Sequence, residues 1–125
     1  MRRIHILVAV EPTPLVRIIG HLFRSQPEFR ILKRLRGCST LVQEASRLRP
    51  KLIIANLKSL GNGAAVIISK LKLASRGSKL ILINFPHDLA RHASKWGADA
   101  YLDEYTLVSR LVPKVQRLLG RKLRQ

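Results

Sequence analysis

Five short apolar runs punctuate the chain, at residues 5–10, 30–35, 52–57, 79–84 and 100–103. Rich in Ile, Leu and Val and too short for helices, they read as β-strands. Three of them are nearly continuous in apolar character, as expected of parallel strands covered on both faces. Residues 30–35 differ: Lys33, Arg34 and Arg36 crowd the run, which suits an edge strand guarded by charge against pairing with other chains. Between the runs the period changes to that of a helix. Leu15, Ile18, Ile19, Leu22 and Phe23 form one stripe, with Thr13 as N-cap and Pro14 in the first helical position. Thr40 and Gln43 have capping-box spacing and open a helix toward Leu48. Residues 62–73 carry Ala64, Ile67, Ile68 and Leu71 on one face, and residues 87–96 form a shorter helix that Gly97 stops. In the last helix Leu107, Val108, Leu111, Val112, Val115, Leu118 and Leu119 oppose Arg110, Lys114, Arg117 and Arg121. Pro113 falls inside that pattern; an interior proline costs ~3 kcal/mol, so a kink or a later start is expected.

The resulting order βαβαβαβαβα predicts an α/β fold with a parallel, doubly wound sheet between two helical layers. Short chains of this order commonly take the flavodoxin-like strand order 2-1-3-4-5. In such a sheet the functional site lies beyond the C-terminal strand ends, near the switch in strand order. Residues 1–125 contain no linker, repeat or low-complexity tract, and one domain is expected.

Charge changes the picture more than composition does. Hydrophobic residues make up 46% of the chain, enough for a packed core, while 24 Lys+Arg against 7 Asp+Glu give a formal charge of +17. Such an excess attracts polyanions: nucleic acid, an anionic membrane surface or an acidic protein. Cys38 is alone, so no internal disulfide can form and a reducing compartment is favoured. Met1-Arg2-Arg3 and the apolar run after it superficially suggest a signal peptide. That run contains His5 and ends at Glu11-Pro12 without a small-residue cleavage site. No run approaches the ~18 apolar residues of a membrane span, and a cytoplasmic location is the default expectation. The four histidines are scattered, with His87 and His92 five apart, a spacing that does not suit a shared metal.

Around the strand ends the chain resembles the receiver domain of two-component response regulators over almost its whole length. Residues 10–17 (VEPTPLVR) resemble the family's acidic pair and the start of its first helix, and residues 49–57 (RPKLIIANL) the segment that ends in the phosphoacceptor. Gly61 fits the family's loop glycine, and residues 97–102 (GADAYL) are similar to its entry into strand five. The resemblance implies a site in which two acids hold Mg²⁺ beside a phosphoacceptor aspartate, while a hydroxyl and a lysine bind the phosphoryl oxygens. Carried over, Glu11 fills the first acidic position and Pro12 replaces the second. Asn56 stands at the phosphoacceptor, Asn84 at the hydroxyl, Glu104 at the lysine and Tyr101 at the aromatic switch residue. A carboxamide is uncharged and a far weaker nucleophile than a carboxylate. The expectation is therefore a degenerate pocket with no phosphotransfer, no cofactor and no specific Mg²⁺. For Lys58, two residues past Asn56, two readings stay open: an ammonium that stands where Mg²⁺ would and pairs with Glu11, Glu104 or both, or a solvated side chain, which the ~0–1 kcal/mol of an exposed pair favours. With no substrate cradle or evident nucleophile, neither catalysis nor a small-molecule substrate is expected.

The arrangement also sets the first and last helices side by side. Arg17 and Arg24 on the first, with Arg110, Lys114, Arg117 and Arg121 on the last, are expected to form one electropositive face, which Lys122 and Arg124 extend. No helix with polar base-reading side chains stands out. The sequence thus points to a stand-alone, receiver-like domain that signals or scaffolds independently of phosphorylation. Its contacts would be a protein partner or a second copy, met through the last-helix region. The alternative is a basic nucleic-acid-associated protein that binds phosphates through its Arg/Lys face.

Overall fold

A computed structural model describes residues 3–103 and 105–120 of the chain. Strands β1 (Ile4–Ala9), β2 (Phe29–Leu35), β3 (Leu52–Ala55), β4 (Lys79–Leu82) and β5 (Ala100–Tyr101) form one sheet, in the order β2-β1-β3-β4-β5. All four pairings are parallel, as the alternation of periods requires. The connections carry α1 (Thr13–Arg24), α2 (Leu41–Leu48), a single turn α3 (Leu57–Leu60), α4 (Ala64–Ala74) and α5 (Ala90–Lys95), and α6 (Leu107–Leu118) follows β5. Short 3-10 turns precede α4 and α5 at Gly61–Gly63 and His87–Leu89.

Each sheet face has its own core. Ile6, Val8, Ile54 and Ile81 meet Ile19 and Phe23 of α1 and Leu111 and Val115 of α6. Leu7, Ile53, Leu80 and Leu82 meet Leu41 and Ala45 of α2, Ile68 and Leu71 of α4 and Ala93 of α5. Alternate residues of the central strands thus serve opposite layers, which is why their sequence reads as continuous apolar runs. Helix α6 starts at Leu107 and runs through Pro113, so of the kink or later start expected at the proline, the later start does not occur. Leu111 and Val115, both fully buried, flank the proline, and their packing outweighs the one backbone hydrogen bond it forfeits.

Three local details depart from the sequence pattern. Helix α1 begins at Thr13, with Pro12 at the N-cap. Thr40 precedes α2 without a side-chain capping bond. Strands β3 and β4 end at Ala55 and Leu82, earlier than their apolar runs suggest, which leaves Asn56 and Asn84 beyond the strands.

Strand β2 carries a bulge. Ile31 pairs with Ile6 and Lys33 with Leu7, so Leu32 is extra. One inserted residue reverses the facing of everything after it. Phe29 and Ile31 join the α1 face while Leu35 joins the α2 face; Lys33 reaches Glu44 on α2 at 2.8 Å.

The segment leading into β5 is held by charge. Gly97 adopts a left-handed φ of 104°, and Asp99 accepts hydrogen bonds from the Leu80 amide and the Lys72 ammonium, each at 2.7 Å. Lys72 also donates to the Ser78 carbonyl at 3.0 Å. This clamp ties α4, β4 and the start of β5 together, a physical reason for the Gly-Ala-Asp pattern there.

Candidate functional site

The C-terminal ends of β1 and β3 lie side by side, and one side chain joins them. Asn56 is 3% exposed. Its Oδ1 accepts from the Ser59 amide at 3.1 Å, capping α3, and from the Glu11 amide at 3.3 Å. Its Nδ2 donates to the Glu11 carbonyl at 2.6 Å. Two donors on one side and an acceptor on the other fix the orientation of the amide. A carboxylate fits this setting poorly, because one of its oxygens would stand where Nδ2 now faces a carbonyl oxygen. The carboxamide at position 56 is thus built into the architecture as a tie between β1 and β3.

The other positions carried over from the strand-end pattern are arranged for structure as well. Glu11, followed by a cis peptide bond to Pro12, is half-buried, and its carboxylate lies toward the β2–α2 loop. A Cβ on Gly37 would stand 3.7 Å from Glu11 Oε2 and 3.8 Å from the Ser59 carbonyl oxygen. Asn84 is exposed and left-handed, with φ 52°, a conformation that asparagine tolerates better than most residues. Its turn returns the chain so that the Phe85 amide bonds the Leu102 carbonyl at 2.9 Å. Tyr101 is half-buried against Phe85, with ring centroids 5.7 Å apart, and Phe85 in turn meets the edge of Trp96 at 6.0 Å. Trp96 also stacks on His92. This aromatic group fills the core beneath α5.

Lys58 does not pair with Glu11. Neither Lys58 nor Glu11 forms an ion pair among the described residues, whose ion pairs involve Lys33, Arg47 and Lys72. The single turn of α3 carries Lys58 to a surface hollow shared with Trp96 and Gly61, away from Glu11. Its second expected partner, Glu104, lies outside the described residues. The residues present do not fit Mg²⁺ either. Pro12 offers no side-chain oxygen, and the Asn56 oxygen is already engaged by two amides. No group of three His, Cys, Asp or Glu side chains comes together as a metal site among the described residues.

The sequence assigned neither Ser59 nor Cys38 a place at this site. Ser59 is 4% exposed and its Oγ has no hydrogen-bond partner among the described residues; its spacing of three from an N-capping Asn56 is the signal that could have drawn it in. Cys38 donates its thiol to the Leu60 carbonyl at 3.4 Å, which binds the β2–α2 loop to α3. Farther along, Asp103 accepts from the Tyr105 amide at 2.9 Å and the Thr106 hydroxyl at 3.0 Å. The Tyr105 amide is the main cause that holds its carboxyl below the usual range.

Four of the basic side chains expected on one face line two separate hollows. Helices α1 and α6 do pack side by side, but Arg17 and Arg24 line a groove on the β2 side, together with Arg30 and Arg34. Arg110 and Lys114 line a separate hollow with His87 and Asp103 on the β5 side. Strands β2 and β5 are the two opposite edges of the sheet. Arg117 follows Arg110 and Lys114 at helical spacing and is exposed; Arg121, Lys122 and Arg124 lie outside the described residues. The separation follows from helical geometry: Val108, which faces the β2-side groove, and Arg110 lie roughly 200° apart around α6.

No family model and no curated protein matches the chain. Solved structures do. A two-component response regulator of the LuxR family from Aurantimonas sp. SI85-9A1 superposes with a TM-score of 0.78 at 18% identity, over 96% of this chain and 88% of that one. A response regulator from Thermotoga maritima gives 0.79 at 13% identity, over 96% and 99%. The response regulator domain of CheB, also from Thermotoga maritima, gives 0.78 at 15% identity, over 98% and 100%. With the strand order and the strand-end geometry, these likenesses establish that the chain has the flavodoxin-like fold of response regulator receiver domains.

Proposed function

We propose that this chain is a receiver-type module that works without phosphotransfer, by contact with a partner rather than by catalysis. The observation that carries the reading is the Asn56 side chain, whose oxygen and nitrogen are both committed to backbone partners at Glu11 and Ser59. A phosphoacceptor needs a free carboxylate oxygen, a metal to neutralise developing charge and cationic donors around the phosphoryl group. Asn56 supplies no such oxygen. Pro12 and Asn84 remove two further elements of the cradle, and Tyr101 packs as a core aromatic. The whole of residues 1–125 serves as one domain in this reading, with the last-helix region and the sheet edges available for contact.

The nucleic-acid reading is weaker. It relied on a continuous basic face across α1 and α6, whereas four of those cations line separate hollows, Arg17 and Arg24 on the β2 side and Arg110 and Lys114 on the β5 side. A duplex backbone is best met by an unbroken stripe of positive charge.

The test is intact-mass spectrometry after incubation with acetyl phosphate and Mg²⁺, with an active receiver domain as control. No phosphoryl adduct is expected on this chain under conditions that load the control. A stoichiometric, hydrolysable adduct would overturn the proposal.

A further inference from the structure

The groove between α1 and the edge strand β2 is a concavity of about 1100 Å³. Its composition is unusual in two respects. Arg17 and Arg24 project from α1 and Arg30 and Arg34 from β2, and no acidic side chain lines it. None of these guanidinium groups forms an ion pair among the described residues. Between them the surface is apolar: Ile18 is 40% exposed and Val108 of α6 is 67% exposed, and both line the groove with Leu22 and Ile31.

The architecture has made room for this arrangement. The bulge at Leu32 turns Arg34 onto the α1 face, where it pairs in register with Val8. There its guanidinium lies over Gly20; a Cβ at that position would stand 3.3 Å from the terminal nitrogen. A side chain at position 20 would therefore press on Arg34. Arg17, Gly20 and Arg24 share one side of α1 through their helical spacing.

We infer that this groove is a docking site for an acidic amphipathic segment of a partner protein, its apolar ridge seated on Ile18 and Val108 and its carboxylates bridged by the four arginines. The inference rests on the contact-module reading above and gives the partner a chemistry. Charge complementarity selects it: guanidinium forks match carboxylates bidentately, and an apolar floor between charged rims is how a groove receives an amphipathic helix. A second copy of this chain fits poorly, since each carries a formal charge of +17. Single-stranded nucleic acid finds little to stack on, because Phe23 and Phe29 of the groove are only 5% and 6% exposed and His21 alone offers it an exposed ring.

The experiment titrates the full chain, at physiological salt, against three fluorescent probes. These are a synthetic helical peptide with leucines along one face and glutamates on the other, a scrambled isomer of the same composition, and oligo(dT). The amphipathic peptide is expected to bind roughly tenfold tighter than its isomer. Arg34→Glu and Ile18→Asp should each weaken it by about tenfold, while Arg117→Glu, remote from the groove, leaves it within about twofold. Circular dichroism checks that each variant is folded, and Arg34→Glu alone decides the matter if Ile18→Asp is not. Equal affinity for the scrambled isomer, equal or tighter binding of oligo(dT), or indifference to Arg34→Glu would overturn the inference. Those outcomes would leave the Asn56 account untouched, since that account stands or falls on the phosphoryl adduct.

Discussion

At the scale of single residues, the decisive feature is that the Asn56 carboxamide uses both of its ends. Restoring the acid should therefore harm the protein rather than revive it. Asn56→Asp is expected to lower unfolding stability in urea by about 1–3 kcal/mol, the usual consequence of setting a buried polar group against a mismatched partner. Unchanged or increased stability would mean that the tie to Glu11 contributes nothing. The identity of residue 56 was plain in the sequence because the apolar run before it locates the end of a strand. Its bonding was not, since the Glu11 backbone is brought near only by the pairing of β1 with β3. Lys58 illustrates the same limit from the other side. Two residues from Asn56 looks close, yet one helical turn rotates the side chain toward Trp96. Asn84 looked like a lost hydroxyl and is in addition a left-handed turn residue, a constraint that no pattern of apolar positions records.

At the scale of elements, β2 was the hardest to read. Its sequence alternates neither cleanly nor randomly, because Leu32 interrupts the period; a bulge has no marker when neither glycine nor proline accompanies it. The long stripes of α1 and α6 and the continuous runs of β1, β3 and β4 were legible because buried area dictates them. Capping was less so: Thr40 has the right spacing but makes no side-chain bond. The link between β2 and α2 is in part electrostatic. Glu44 meets Arg47 at 2.9 Å and Lys33 at 2.8 Å. Hydrogen bonds from Arg47 first, and then from Lys33, lower its pKa from 4.5 to about 2. A carboxyl depressed on folding contributes stability above its unfolded value and loses it as the pH falls through the folded value. That contribution is complete above about 4.5 and fades toward 2. Glu44→Gln should lower the thermal midpoint at neutral pH and flatten the acid dependence within that window. A variant whose midpoint falls with acid as steeply as the parent's would assign the dependence to other groups.

At the scale of the molecule, a five-stranded receiver fold carries a strand-end pocket joined from within and a surface of strong positive charge. Part of that charge lies at the two edges of the sheet, with Arg17, Arg24, Arg30 and Arg34 by β2 and Arg110 and Lys114 by β5. Receiver-type switching requires two states that differ in what the pocket holds. With Asn56 bound to Glu11 and Ser59, with Tyr101 packed on Phe85, and without a second acid at Pro12, the account predicts a single state. The most direct measurement is a two-dimensional amide NMR titration of the ¹⁵N-labelled chain with Mg²⁺ and beryllofluoride together. The account predicts no saturable shifts at Glu11, at Ser59 or in the Asn56 side-chain amide, and none propagating to Tyr101. Saturable shifts in that set would contradict it.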